Sequence, residues 1–263
     1  MSLADGLYDC CWSESNEHIL VSACGDGAVK VWDVNIPPAA NPIRSYEEHG
    51  HEVHGVSWNM VRRDRFISAS WDNSIKLWSL EAPVSLQTFQ EHTYCCYAAA
   101  WNPTNGEVFA SASGDCHVKL WDIRQRGSTL TYRAHDFEVL TLDWSKYEEG
   151  KVVTGSIDST LRVWDLRFPN KPLRVLPGHK YAVRRVVCSP HFSNLVASIS
   201  YDMSVALWDM QAPLQANPLI KQWHHHTEFG CGLDLSVLVA GLWASSGWDQ
   251  LVYTWQQDSD PRV

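Results

Sequence analysis

Short apolar or alternating runs, bounded by turn residues, follow one another along this chain. The first four are Leu7-Tyr8-Asp9-Cys10-Cys11-Trp12, Ile19-Leu20-Val21, Val29-Lys30-Val31-Trp32 and Ile43-Arg44-Ser45-Tyr46. Runs of this length and period predict β-strands. The Pro37-Pro38 loop separates the third strand from the fourth. The same group of four returns after first runs that end at Trp58, Trp101 and Trp144, and twice more with Cys188 and Leu235 at that place. Both replacements are apolar, so packing at the position is expected to survive. No run approaches the roughly 18 apolar residues of a transmembrane helix. No long linker or low-complexity tract interrupts the series, so one all-β domain over residues 1–263 is expected.

A polar frame recurs in phase with the strands. An Asp lies 23 residues after a His in five copies: His49 and Asp72, His92 and Asp115, His135 and Asp158, His179 and Asp202, His226 and Asp249. A Ser or Thr stands four residues before each Asp, at Ser68, Ser111, Thr154, Ser198 and Ser245. A Trp stands six after it, at Trp78, Trp121, Trp164, Trp208 and Trp255. A further copy at the start holds Ser22, Asp26 and Trp32, with Leu3 where the His belongs. The His-to-His steps are 43, 43, 44 and 47 residues.

This frame resembles the WD repeat over nearly the whole chain. A repeat of about 40–45 residues with this signature implies one four-stranded propeller blade per copy, hence a WD-repeat β-propeller with six recognisable blades. The resemblance also implies a hydrogen-bonded set in which the incoming His meets the turn Asp and the Ser/Thr and Trp complete the chain. Such sets satisfy buried polar groups, whose neglect costs about 1–3 kcal/mol each. The His and Asp residues are therefore read as structural rather than catalytic. No nucleophile stands in a recognised frame, so an enzyme is not expected.

Composition narrows the partners. The net charge is −9, from 21 basic and 30 acidic residues, which speaks against nucleic acid and for a basic partner. The eight Cys form no Cys-x-x-Cys pair and read as packed, reduced thiols. His224-His225-His226 raises the question of a metal, but neighbours on an extended segment point to opposite sides, so neither a metal nor a cofactor is expected. Of 14 Trp residues the repeat accounts for ten, leaving Trp71, Trp223, Trp243 and Trp248.

By the resemblance to WD-repeat proteins, partners touch the rim bearing the His loops. The implied positions are three and five residues after the His and the one before the Asp. They give a candidate binding set of Tyr8, Glu52, His54, Trp71, Tyr97, Glu138, Arg184, Tyr201, Phe229 and Trp248. Two of the unexplained Trps fall in it, and aromatics of this kind are binding anchors. The stretches Asp5-Gly6-Leu7-Tyr8-Asp9, Trp12 to His18, Tyr181-Ala182-Val183-Arg184-Arg185 and His225 to Asp234 further resemble the peroxin-7 family of import receptors. The resemblance implies a cytosolic receptor that shuttles to the peroxisome matrix. It would bind cargo through a helical N-terminal type-2 targeting signal, with a co-receptor and docking proteins as partners and without inserting in the membrane. The family has seven blades, so the chain is expected to lack an N-terminal blade. Two other readings are a cullin ubiquitin ligase adaptor, for which Trp121-Asp122-Ile123-Arg124 and Trp164-Asp165-Leu166-Arg167 supply a Trp-Asp-x-Arg motif, and an assembly scaffold.

Overall fold

In the computed structural model the described residues are 6–213, 215–259 and 262. Leu3, Asp5 and the polar tail positions Asp260, Pro261 and Val263 lie outside them. The chain forms two compact units, Met1–Arg133 and Ala134–Val263. Unit 1 holds three antiparallel sheets of four strands each. They are β1 (Leu7–Trp12) to β4 (Arg44–Tyr46), β5 (Val53–Trp58) to β8 (Gln87–Phe89), and β9 (Cys96–Trp101) to β12 (Ser128–Arg133). Unit 2 holds β13 (Val139–Trp144) to β16 (Arg174–Leu176) and β17 (Val183–Cys188) to β20 (Leu219–Trp223). Its last sheet has three strands among the described residues, β21 (Gly230–Leu235), β22 (Leu242–Gly247) and β23 (Val252–Gln256). The six sheets are the six blades expected from the repeat, and the fold class is that of the WD-repeat propellers.

The second strand is deeply buried in the first five blades, because both its faces meet neighbouring sheets. In β6 (Arg65–Ser70) Phe66, Ile67, Ala69 and Ser68 are fully buried, and β10 (Val108–Ser113) repeats this with Phe109, Ala110, Ser111 and Ala112. The frame Trps close the layer beneath: Trp78 stacks along Phe66, and Trp121 along Phe109. In unit 2 Trp208 packs with Val186, Cys188 and Val196. Cys188 and Leu235 are buried, as expected for apolar substitutes. Cys24, Cys96 and Cys188 are buried thiols, whereas Cys10 is exposed.

The hairpin joining second and third strands is built the same way in all six blades. The residue after the frame Asp takes a left-handed conformation: Gly27 (φ 81°), Asn73 (68°), Cys116 (69°), Ser159 (65°), Met203 (66°) and Gln250 (64°). This is a turn closed by a bulge residue with positive φ. Asp supplies what the turn needs, because its side chain accepts the backbone N–H two residues on. Asp72 Oδ1 caps Ser74 N at 2.9 Å, Asp158 Oδ1 caps Thr160 N at 2.9 Å, and Asp202 Oδ1 caps Ser204 N at 3.0 Å.

Candidate functional site

The second carboxylate oxygen of each frame Asp takes the His. His49 Nδ1 lies 2.8 Å from Asp72, His92 2.7 Å from Asp115, His135 2.8 Å from Asp158, His179 2.9 Å from Asp202 and His226 2.8 Å from Asp249. In four blades the chain then runs to the Trp without a break. His49 Nε2 is 2.7 Å from Ser68 Oγ, which accepts Trp78 Nε1–H at 2.8 Å. Ser111, Thr154 and Ser198 repeat the link to Trp121, Trp164 and Trp208. The donors run one way if each imidazole is neutral, with its proton on Nδ1: indole to hydroxyl, hydroxyl to Nε2, Nδ1–H to carboxylate. Burial pushes each of these carboxyls up, and the hydrogen bond from the His outweighs it only together with the neighbouring hydroxyl or backbone N–H donors and the attraction of the His. Asp115 and Asp158 are held at about 2, and Asp72, Asp202 and Asp249 also lie below the usual carboxylate range. Burial drives the His135 imidazole below its ordinary value despite Asp158. Each member of the set is consumed by its neighbours, as a scaffold requires.

The end copies depart from this pattern. In blade one Trp32 Nε1 donates to Ser22 at 2.8 Å, but Asp26 pairs with Lys30. In blade six both His225 Nε2, at 2.8 Å, and His226 Nε2, at 2.9 Å, reach Ser245 Oγ, and the Trp255 indole N–H has no acceptor among the described residues. His225 has taken the indole's place as donor. The expectation that these neighbours point to opposite sides fails because they lie in the loop between β20 and β21, where strand alternation does not apply. No group of metal-ligand residues is assembled among the described residues. Arg124 and Arg167 of the two Trp-Asp-x-Arg motifs fold back on Asp122 and Asp165, each through Nε at 2.9 Å.

The same ends of the sheets carry the candidate binding residues. In every blade the residue three after the His, or its counterpart, accepts the backbone N–H of the residue before the Asp. The pairs are Gly6 with Gly25 (2.9 Å), Glu52 with Trp71 (3.0 Å), Cys95 with Gly114 (2.9 Å), Glu138 with Ile157 (3.1 Å), Ala182 with Tyr201 (3.0 Å) and Phe229 with Trp248 (2.9 Å). The residue five after the His is the extra residue of a β-bulge in every first strand. The ladder skips Tyr8, His54, Tyr97, Leu140, Arg184 and Cys231. A bulge frees one residue from the ladder and re-aims its side chain.

In unit 1 these devices bring four rings together. His54 is sandwiched between Tyr8, with centroids 4.1 Å apart, and Trp71, at 4.4 Å and 5°. Tyr97 meets His54 and Trp71 edge-on. His54 is 9% exposed, so it is a spacer between the outer rings more than a contact surface. Glu52 is half-buried beside Trp71. In unit 2 Tyr201, Phe229 and Trp248 tilt against one another, with centroids 5.0 to 6.5 Å apart. Burial raises the Tyr201 phenol although Arg184 hydrogen-bonds it. Trp248 is 64% exposed. Glu138 stands on blade four, beside the exposed Ile157.

Sequence reasoning overlooked one register. Two residues after the His, Tyr94, Phe137 and Tyr181 are exposed aromatics on three successive blades. Two of the backbones are fixed: Ser113 Oγ donates to Tyr94 O at 2.9 Å and Ser200 Oγ to Tyr181 O at 3.1 Å. Tyr94 also lies over Gly114, where a Cβ would come within 2.4 Å of its ring. The signal was available, since the His fixes the register.

Residues 4–33 and 40–79 match the family described as WD domain, G-beta repeat, and residues 82–208 match the EIPR1 beta-propeller family. The chain is 65% identical over 260 residues to the Peroxisome biogenesis protein 7 of Arabidopsis thaliana, covering 99% of this chain and 81% of that protein. It is 65% identical over 237 residues to the Peroxisomal targeting signal 2 receptor of Dictyostelium discoideum, covering 90% and 74%. It is 52% identical over 230 residues to the receptor of that name from Homo sapiens, covering 87% and 70%.

Proposed function

The chain belongs to the family of peroxisomal targeting signal 2 receptors, and from that premise we propose that it binds the N-terminal helical type-2 signal of cargo enzymes. With a co-receptor and docking proteins it then delivers them into the peroxisome matrix, shuttling from the cytosol. The family is one of receptors, not of enzymes. The observation that supports the rim as the site is the recurring bulge, which spends one residue per blade on a side chain that the ladder does not use.

The chemistry suits an amphipathic helix. Such a helix offers apolar anchors at i, i+3, i+4 and i+7. The Tyr8, Trp71 and Tyr97 rings packed round His54 in unit 1 and the Tyr201, Phe229 and Trp248 group of unit 2 are aromatic surfaces for those anchors. Glu52 of unit 1 or Glu138 of unit 2 pairs with the basic residue of the signal, and Arg184 meets an acidic or carbonyl group. Removing an anchoring aromatic costs about 2 kcal/mol or more of binding.

The test is titration of the purified chain with a labelled signal helix, with and without candidate co-receptor. Saturable binding, lost when the helix residues facing the rim are made polar, is expected. A helix that binds equally well with its apolar face scrambled would remove the rim from consideration.

A further inference from the structure

At the opposite end of the sheets, each first strand runs into a loop that is also built to one plan. A Ser or Asn follows the strand and its side chain caps the N–H groups two and three residues on. Ser145 caps Tyr147 and Glu148, Ser189 caps His191 and Phe192, and Ser236 caps Leu238 and Val239, all at 3.0 to 3.4 Å. Unit 1 uses Ser13, Asn59 and Asn102 in the same way. The fold therefore asks only for the cap, and the tip residues are free. In blades one and three the tips are mostly polar, with Glu14, Ser15 and Asn16 in one and Pro103, Thr104 and Asn105 in the other.

Blade two exposes Met60 and Val61 beside Arg62 and Arg63, but only in unit 2 do all three loops carry exposed apolar tips. Tyr147, Phe192, Val237, Leu238 and Val239 are exposed on three successive loops, Leu238 at 93%. The loops are tied side by side: Tyr147 Oη donates to Pro190 O at 2.6 Å, and His191 Nε2 lies 2.9 Å from Ser236 O. Scattered exposed apolar residues are ordinary, but a tethered row of them marks an interaction surface. The charges beside the row are mostly acidic. Asp143, Glu148, Glu149 and Asp234 stand on these loops or within two residues of them, against Lys146 and Lys151. Lys146 pairs with Asp143 at 2.7 Å, and Lys151 pairs with Glu148. This surplus of carboxylates repels an anionic bilayer and favours a basic partner.

We propose that the loop row of unit 2 docks a helix of a protein partner whose apolar face is flanked by basic residues. This surface is distinct from the rim. It lies a full strand away, roughly 20 Å for six residues, so both ends of a blade can be occupied at once. The inference does not rest on the cargo reading.

The test uses the full chain and two synthetic 14-residue helices with one leucine periodicity, one with lysine on its polar face and one with glutamate. The Leu–Lys helix should bind and slow hydrogen exchange at the Leu238 and Val239 amides. Leu238→Asp should weaken that binding about tenfold, as for loss of an anchor, with the melting temperature unchanged because the tip is exposed. The Leu–Glu helix should bind at least about tenfold more weakly, by the same charge argument. Equal binding of the two helices, or Leu–Lys binding indifferent to Leu238→Asp, overturns the proposal. So does a Leu238-dependent dimer in sedimentation, which makes a second copy the occupant. Leu238-dependent binding to phosphatidylserine vesicles makes it a membrane and overturns it as well.

Discussion

Unit 1 and unit 2 share a blade plan and differ at the rim. In unit 1, His54 lies between the rings of Tyr8 and Trp71, and the group is a stack whose middle member is buried. In unit 2, Arg184 fills the bulge that His54 fills in unit 1, and Tyr201, Phe229 and Trp248 tilt against one another without stacking. The backbone hydrogen bonds under both are the same. The difference teaches where the fold stops constraining the sequence. Turn Asp, cap Ser and frame Trp are fixed by the hydrogen bonds that they satisfy, whereas the bulge residue satisfies none of the ladder and is open to selection by a ligand.

Breaking the common plan should have the largest effect. A Cβ at Gly155 would come within 2.7 Å of Val183 Cγ1 and 2.8 Å of Thr141 Cγ2. Gly155→Arg should therefore leave unit 2 unfolded, since close approach of this kind admits no side chain. Soluble Gly155→Arg protein with native circular dichroism would show that the approach is not required.

The rims should then separate under matched truncations. Trp71→Ala opens the His54 sandwich and should cost about 2 kcal/mol or more of signal binding. Trp248→Ala removes a mostly exposed ring and should cost less than half of that, since hot spots lie in desolvated pockets. Equal losses in calorimetry would mean that stacking adds nothing to the anchor.

Within unit 2, blades four and six differ in the same instructive way. Trp164 donates to Thr154 at 3.0 Å, whereas Trp255 has lost its acceptor to His225. Trp164→Phe should cost about 1 kcal/mol more than Trp255→Phe, the net worth of one hydrogen bond. Chemical denaturation reads the difference, and equal costs would deny His225 its role.

The pattern of strands, the blade count and the polar frame were legible in the sequence because each rests on spacing. A hairpin holds Ser68, Asp72 and Trp78 at fixed offsets, so the offsets survive where other residues change. The left-handed turn residue was not legible, because Cys116, Ser159, Met203 and Gln250 share no chemistry. Nor were the bulges, whose residues run from Tyr8 to Arg184 to Cys231. Their positions were reached only through the resemblance to WD-repeat proteins. The His225 and His226 geometry was misjudged because strand alternation was applied to a loop.

Acid should weaken blade four in two stages. Burial lowers the folded His135 below the usual 6.5, so its contribution is complete above about pH 6.5 and is lost as pH falls through the folded value. Asp158, near 2 when folded and about 4 when unfolded, contributes fully above pH 4 and loses that contribution as pH falls toward 2. Hydrogen exchange of the Trp164 indole N–H against pH follows both. A single stage confined to pH below 4 would remove His135 from the account.

The smallest set of changes addresses the central claim, that rim charge selects the cargo. Glu52→Lys and Glu138→Lys alter half-buried rim residues without touching the His–Asp frame. Truncating one partner of a fully buried charge pair costs about 2–5 kcal/mol; a half-buried pair is worth less, and a reversed charge adds repulsion. The measurement is a charge-swap titration at two salt concentrations. Each variant should bind the native signal helix more weakly, most at low salt, and should regain binding when the helix's basic residue is changed to Glu. Unchanged affinity of both variants for the native helix would place the site elsewhere.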